Sequence, residues 1–108
     1  MKKIVILGGS GFIGKSLVKS LLLLGYVPTV LTRNRDIELE QLGCKVVIYS
    51  QGSYLPDVLI SSTYDVFVNV AWKGVAGKDR NASFQLRDNL ELTMWSVELS
   101  KKLQCTHW

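Results

Sequence analysis

A short apolar run that drops straight into glycines constrains this chain more than any other feature: residues 4 to 14 read IVILGGSGFIG, with glycine at 8, 9, 11 and 14. Glycine loses more conformational freedom on folding than any other residue, so a cluster of it beside a β-branched run implies a backbone that approaches something closely. Residues 3 to 7, KIVIL, lack polar alternation, the mark of a strand covered on both faces. From 12 to 24 the period changes: Phe12, Ile13, Leu17, Leu21 and Leu24 recur at helical spacing, Lys15 and Lys19 lie outward, and Gly25 supplies the stop. Strand, glycine turn and helix in that order form the setting in which the spacing Gly9-x-Gly11-x-x-Gly14 carries meaning, and Gly8-x-x-Gly11-x-x-Gly14 fits as well. In such a turn Gly8 makes the tight bend, Gly11 lets backbone reach a pyrophosphate, and Gly14 lets the helix sit against the strand. The helix's unpaired amides and positive end then face the phosphates of a dinucleotide. A tight turn that holds no ligand is the plain alternative.

The rest of the chain keeps alternating. VPTVLTR (27 to 33) reads as a second strand, with Pro28 near its start, where a missing amide hydrogen is tolerated. DIELEQLG (36 to 43) reads as a short helix capped by Asp36 and ended by Gly43, KVVIYS (45 to 50) as a third strand, and LPDVLIS (55 to 61) as a weak helix. DVFVNVAW (65 to 72) is a fourth strand, and a loop rich in glycine and lysine leads to a long helix from about Ser83 to Leu103. Strict alternation predicts an α/β fold of three layers, a Rossmann-type parallel sheet of strand order 3-2-1-4 with flanking helices, the first half of a doubly wound sheet. Residues 1 to 108 form one domain on this reading.

Charge and cysteine usage narrow the function classes. Thirteen Lys and Arg against nine Asp and Glu give a net charge of +4, scattered along the chain, so no run reads as a nucleic-acid tail. The apolar stretch LVKSLLLLGYVPTVL is broken by Lys19, Gly25 and Pro28, short of the ~20 residues a membrane span needs. MKK followed by IVIL is too short for a signal peptide's apolar region. Cys44 and Cys105 lack metal-ligand spacing, which fits reduced thiols and no metal site. The expectation is a cytoplasmic protein with neither nucleic acid nor membrane as partner.

The end of the second strand bears on which dinucleotide binds. An NAD site generally puts an acid there for the ribose hydroxyls, whereas an NADP site puts Arg nearby for the 2′-phosphate. Here LTRNR places Thr32 where the acid would stand, followed by Arg33 and Arg35, and arginine grips phosphate in a planar fork. The pattern leans toward NADP over NAD. In the competing reading both arginines are solvated and Asp36 takes the ribose.

GGSGFIG at the first turn, DVFVNVAW on the fourth strand and DNLELT opening the long helix together resemble the amino-terminal half of the extended short-chain dehydrogenase/reductases, the NAD-dependent epimerase/dehydratases, which act mostly on nucleotide sugars. The resemblance covers nearly the whole chain. It implies that Gly8, Ser10, Gly11, Phe12, Ile13 and Gly14 form the pyrophosphate turn, that Ala71 borders the cofactor ribose with Trp72 just beyond, and that Asn89 and Thr93 match the Asn and Thr of the family's N-x-x-G-T pattern, with Leu92 at its glycine. After strand three, where the family often has an Asp beside the adenine, this chain has Ser50-Gln51-Gly52, which makes Ser50 the candidate.

The family's catalytic pair is a Tyr with a Lys four residues later, and it is missing here: Tyr26, Tyr49, Tyr54 and Tyr64 are followed at that distance by Val30, Ser53, Val58 and Val68. KKLQCTHW resembles the family's turn into a fifth strand, so the chain reads as a truncated piece whose catalytic residues lie beyond it. The expectation is the NAD(P)-binding portion of a nucleotide-sugar epimerase, dehydratase or reductase, itself catalytically incompetent. Two rivals stand beside it: a non-catalytic NAD(P)-sensing regulatory module of the atypical short-chain dehydrogenase type, and a half-sheet that forms a swapped dimer and binds no nucleotide. The long helix carries apolar residues on two faces, Leu86, Leu90, Thr93, Met94 and Val97 against Leu92, Trp95, Leu99 and Leu103. Two stripes imply a second partner, and the family's helical bundle suggests a homodimer through helix 83 to 103, by way of Trp95 and its neighbours.

Overall fold

The structure is a computed structural model that describes residues 2–9, 11–49, 63–71 and 83–108, with residues 83–86 as backbone only. Its elements are β1 (Ile4–Leu7), α1 (Phe12–Leu23), β2 (Thr29–Thr32), α2 (Ile37–Gln41), β3 (Lys45–Ile48), β4 (Val66–Asn69) and α3 (Ser83–Lys102). The four strands make one sheet in the order β3-β2-β1-β4, all parallel. This is the predicted Rossmann-type half-sheet. Each strand is shorter than its apolar run: β2 begins at Thr29, directly after Pro28, and β3 leaves the ladder at Ile48, although the Tyr49 amide still donates to the Thr32 carbonyl at 2.9 Å. The expected helix at 55 to 61 lies outside the described residues.

Alternation along the central strands divides the core in two. Val5, Leu7 and Leu31 face one side with Phe67, Tyr49, Tyr64, Leu92, Leu99 and Leu103, while Ile6 and Val30 face the other with Val18, Leu39 and Cys44. Each Val, Leu or Ile that is fully buried on β1 or β2 contributes ~1.5–3 kcal/mol, which is why a strand between two layers is apolar without a break.

The carboxyl end of α3 turns at Gln104, in the left-handed region at φ 59°, and the Cys105 amide reaches back to the Ser100 carbonyl at 2.9 Å. The chain then runs beside β4, where a single parallel bridge joins Val66 and His107. Burial, then the Asp65 carboxylate, push the Cys105 thiol up to about 11, and burial raises Cys44 as well, so both are protonated thiols at neutral pH. Among the described residues no helix is long and apolar enough to cross a membrane.

Candidate dinucleotide cavity at the glycine turn

The carboxyl ends of β1, β2 and β4 open onto a cavity of about 480 Å³. Its floor is the glycine turn, with Gly8, Gly11, Phe12, Ile13 and Gly14; one wall is Thr32, Arg33 and Asn34 after β2, with Tyr49 after β3; the other is Val70 and Ala71 after β4. Arg33 is the charged side chain on it among the described residues.

The glycines of the turn answer to different demands. Gly8 sits at φ +89°, and a Cβ there would lie 2.6 Å from the Ala71 Cα. A Cβ on Gly9 would run into the Val30 side chain, and one on Gly14 would meet backbone, the Gly9 Cα at 2.6 Å and the Gly8 carbonyl oxygen at 2.7 Å. Gly11 differs from all three. Its φ of −77° and ψ of 174° suit any residue, and an added Cβ would find nothing within 4 Å.

Gly11 is also the N-cap of α1, and a glycine has no side chain with which to cap. The first bond of the helix runs from the Lys15 amide to the Gly11 carbonyl at 2.9 Å. The amides of Phe12, Ile13 and Gly14 therefore have no acceptor among the described residues, and no acid stands in the first turn. Lys15 leans away from the cavity, with its Nζ 3.0 Å from Glu38 and 3.3 Å from Asp36. The Glu38 hydrogen bond leads in raising the Lys15 pKa above its ordinary value, and the same bond leads in lowering that of Glu38.

The walls are set by local hydrogen bonds. Buried Thr32 donates its hydroxyl to the Asn34 carbonyl at 2.8 Å, which shapes the loop that carries Arg33. The Asn69 side chain accepts from the Ala71 amide at 3.0 Å and so bends the chain after β4 toward Gly8. Tyr49 is stacked on Trp95, with ring centroids 5.3 Å apart; burial raises its phenol pKa, and the Arg33 charge pulls the other way.

Of the residues singled out from sequence, Gly8, Gly11, Phe12, Ile13, Gly14, Thr32, Arg33 and Ala71 line this cavity. Arg35 does not: its guanidinium is 3.3 Å from Glu40 in an exposed ion pair. Asn89 does not either, being buried within α3. Asp36 caps α2 by accepting from the Leu39 amide at 3.2 Å and is no part of the lining. Ser10, Ser50 and Trp72 lie outside the described residues. The choice of face on α3 is corrected as well. Leu92, Leu99 and Leu103 are buried and Trp95 packs with them against the core, so the outward apolar residues are Leu90 and Met94. Sequence reasoning missed Asn34, Tyr49, Val70 and the supporting Asn69. The one signal for Asn69 was a lone polar residue inside an apolar strand.

The NAD dependent epimerase/dehydratase family model matches residues 4–106. No curated protein sequence matches the chain significantly. Among solved structures, a UDP-galactose 4-epimerase superposes with a TM-score of 0.73 at 21% identity, over 95% of this chain and 35% of its own. UDP-N-acetylglucosamine 4-epimerase from Bacillus cereus gives 0.70 at 21%, over 97% and 33%. BdcA in complex with NADPH gives 0.64 at 21%, over 94% and 46%. These likenesses show the fold, and the chain spans less than half the length of each. With a family match that runs almost from end to end, the chain belongs to the NAD dependent epimerase/dehydratase family.

Proposed function

We propose that residues 1 to 108 form one dinucleotide-binding domain and that the cavity at the glycine turn holds NAD(P), in the manner of the cofactor half of a nucleotide-sugar epimerase, dehydratase or reductase. The observation that carries this reading is Gly11. A turn built only to pass from strand to helix needs glycine at 8, 9 and 14, where a side chain would collide with the protein; it has no such need at 11, where space is open and the backbone ordinary. A diphosphate lying against the bare amides of Phe12 to Gly14 supplies the missing reason. The residues present fit the group: an uncapped helix start, an absence of acids in its first turn and the Arg33 cation on the wall.

When bound, the nicotinamide accepts or donates the hydride. The chain's own part is to hold it. The α1 amides would hold the phosphates and Arg33 a 2′-phosphate, while Tyr49 would flank the adenine end and Val70 and Ala71 the nicotinamide end. None of the tyrosines has the lysine partner that catalysis in this family calls for, so these residues bind cofactor without turnover. The outward face of α3, Leu90 with Met94, is where a second copy would pack.

Titration with NADPH and NADH, followed by nicotinamide fluorescence, tests the reading. NADPH binds more tightly, and Arg33→Ser removes about tenfold of that preference by deleting a charge-assisted hydrogen bond. Equal or tighter NADH binding removes the lean toward NADP; failure of both to bind removes the cofactor site. A second reading, supported by the glycine turn and the TRN that ends the second strand, is an NAD(P)-sensing module that signals through partners. A Tyr-x-x-x-Lys pair further along the coding sequence decides for the enzyme, and its absence there for the sensor.

A further inference from the structure

The amino ends of the strands, opposite the glycine turn, hold a second cavity of about 200 Å³ lined by Lys3, Ile4, Val27, Thr29, Lys45 and Tyr64. Register explains the grouping. Val5, Thr29 and Lys45 stand side by side across the ladder, and Lys3 precedes Val5 by two, so all four share one face of the sheet. Tyr64 belongs to the apolar cluster on that same face.

Two features set this cavity apart from an ordinary sheet end. Thr29 and Tyr64 are each only 6% exposed, yet neither hydroxyl has a hydrogen-bond partner among the described residues. Native proteins rarely leave buried hydroxyls without something to bond. Beside them, the ammonium groups of Lys3 and Lys45 have no ion pair among the described residues. The acid nearby is Asp65, whose carboxylate accepts from the Lys3 amide at 2.7 Å and lies off the lining. The Tyr64 amide donates to the Leu103 carbonyl at 3.0 Å, which brings the end of α3, with Lys101 and Lys102 in its last turn, to this end of the sheet.

We infer that this cavity binds a small oxyanion, either free phosphate or the phosphoryl group of a monoester. Lys3 and Lys45 supply the charge, and the Thr29 and Tyr64 hydroxyls donate to its oxygens. The inference stands apart from the cofactor reading, because the two cavities lie at opposite ends of the strands.

The test is amide NMR on the whole ¹⁵N-labelled chain at constant ionic strength, titrated with inorganic phosphate and, separately, with ethyl phosphate. The amides of Thr29, Lys45 and Tyr64 shift saturably with at least one of the two; saturation by phosphate alone identifies a free-ion site, and by ethyl phosphate alone a monoester site. Lys45→Gln weakens binding about threefold and Lys3→Gln with Lys45→Gln about tenfold, as removal of exposed charge partners does. Both lysines are exposed, so the variants keep the fold, which the spread of the spectrum verifies. Shifts at Gly11 and Phe12 report anion at the glycine turn and are read separately. A linear drift without saturation, or saturation unchanged in the double variant, overturns the inference.

Discussion

Two helices begin side by side at the carboxyl edge of this sheet, and they begin in opposite ways. α2 starts on Asp36, whose carboxylate accepts from the Leu39 amide, and carries Glu38 and Glu40 in its first turn. α1 starts on Gly11, with no capping side chain and no acid in its first turn. Negative charge at a helix start is stabilising, and Asp in place of a non-capping residue contributes ~0.5–2 kcal/mol. α2 uses that device in full, while the basic residue nearest the start of α1, Lys15, turns to the acids of α2. The bare end of α1 is therefore a local feature of residues 8 to 14 and no general habit of the fold. Among the described residues nothing accepts from its first amides.

The largest effect comes from filling the turn. Gly14→Val would set its Cβ 2.6–2.8 Å from backbone atoms of Gly8 and Gly9, which can yield only if α1 moves off β1. The expected loss is about 3 kcal/mol, a large share of what a small domain has, read as a fall in the urea midpoint followed by tryptophan fluorescence. A midpoint like that of the unaltered chain would mean that close helix-to-strand contact is not what Gly14 is for.

Gly11→Asp breaks the contrast itself, by starting α1 as α2 is started. The backbone at 11 is already extended, as at Asp36, and an added Cβ has open space around it. Stability should rise by only a few tenths of a kcal/mol, glycine being itself a fair N-cap, while NADPH affinity falls ~100-fold, because the new carboxylate takes the amides and repels the diphosphate. Opposite signs on fold and ligand are the signature to look for. A stabilised variant that binds NADPH as before would separate the cavity from the phosphates.

The contrast also explains what could be read from the residues alone. The strand order and the glycine turn were legible because residue type carries them: an unbroken apolar β-branched run means two covered faces, and a glycine is tolerated where others collide. Arg33 and Arg35 were indistinguishable, since nothing short of the folded loop puts Glu40 within 3.3 Å of Arg35 and leaves Arg33 on the cavity. Tyr49 and Asn69 were missed because their positions depend on register across the sheet. On α3 the choice of face went wrong for a physical reason. The buried side includes Ser96 and Ser100, which look like surface residues in a helical projection; their hydroxyls donate within the helix, to the carbonyls of Thr93 at 2.6 Å and Val97 at 2.7 Å, and so need no water. A helix with apolar residues on both sides does not declare which side meets the sheet, and Trp95 turned out to lie on Tyr49.

The smallest effect concerns the acids that make the start of α2 different. The Lys15 hydrogen bond holds Glu38 below its ordinary 4.5; burial pushes Asp36 up, but the Leu39 amide and Lys15 together outweigh it and leave the group below 3.8. Lys15 in turn is raised above 10.5, chiefly by Glu38. A carboxyl lowered by folding adds stability that is present above its unfolded value and disappears as pH falls through the folded one; a raised lysine adds stability below 10.5 that disappears as pH climbs through its folded value. The cluster's contribution should thus be level from pH 5 to pH 9 and fade in acid below about pH 4. Comparing urea midpoints of the unaltered chain with those of the Asp36→Asn, Glu38→Gln double variant isolates it: the two differ at neutral pH and converge in acid. Glu38 is half exposed and Lys15 and Asp36 keep partial contact with water, so the difference is small and shrinks further in salt. Curves that stay parallel down to pH 3 would show that Asp36 acts only through its shape as a cap, and the charge contrast between the two helix starts would then rest on α1 alone.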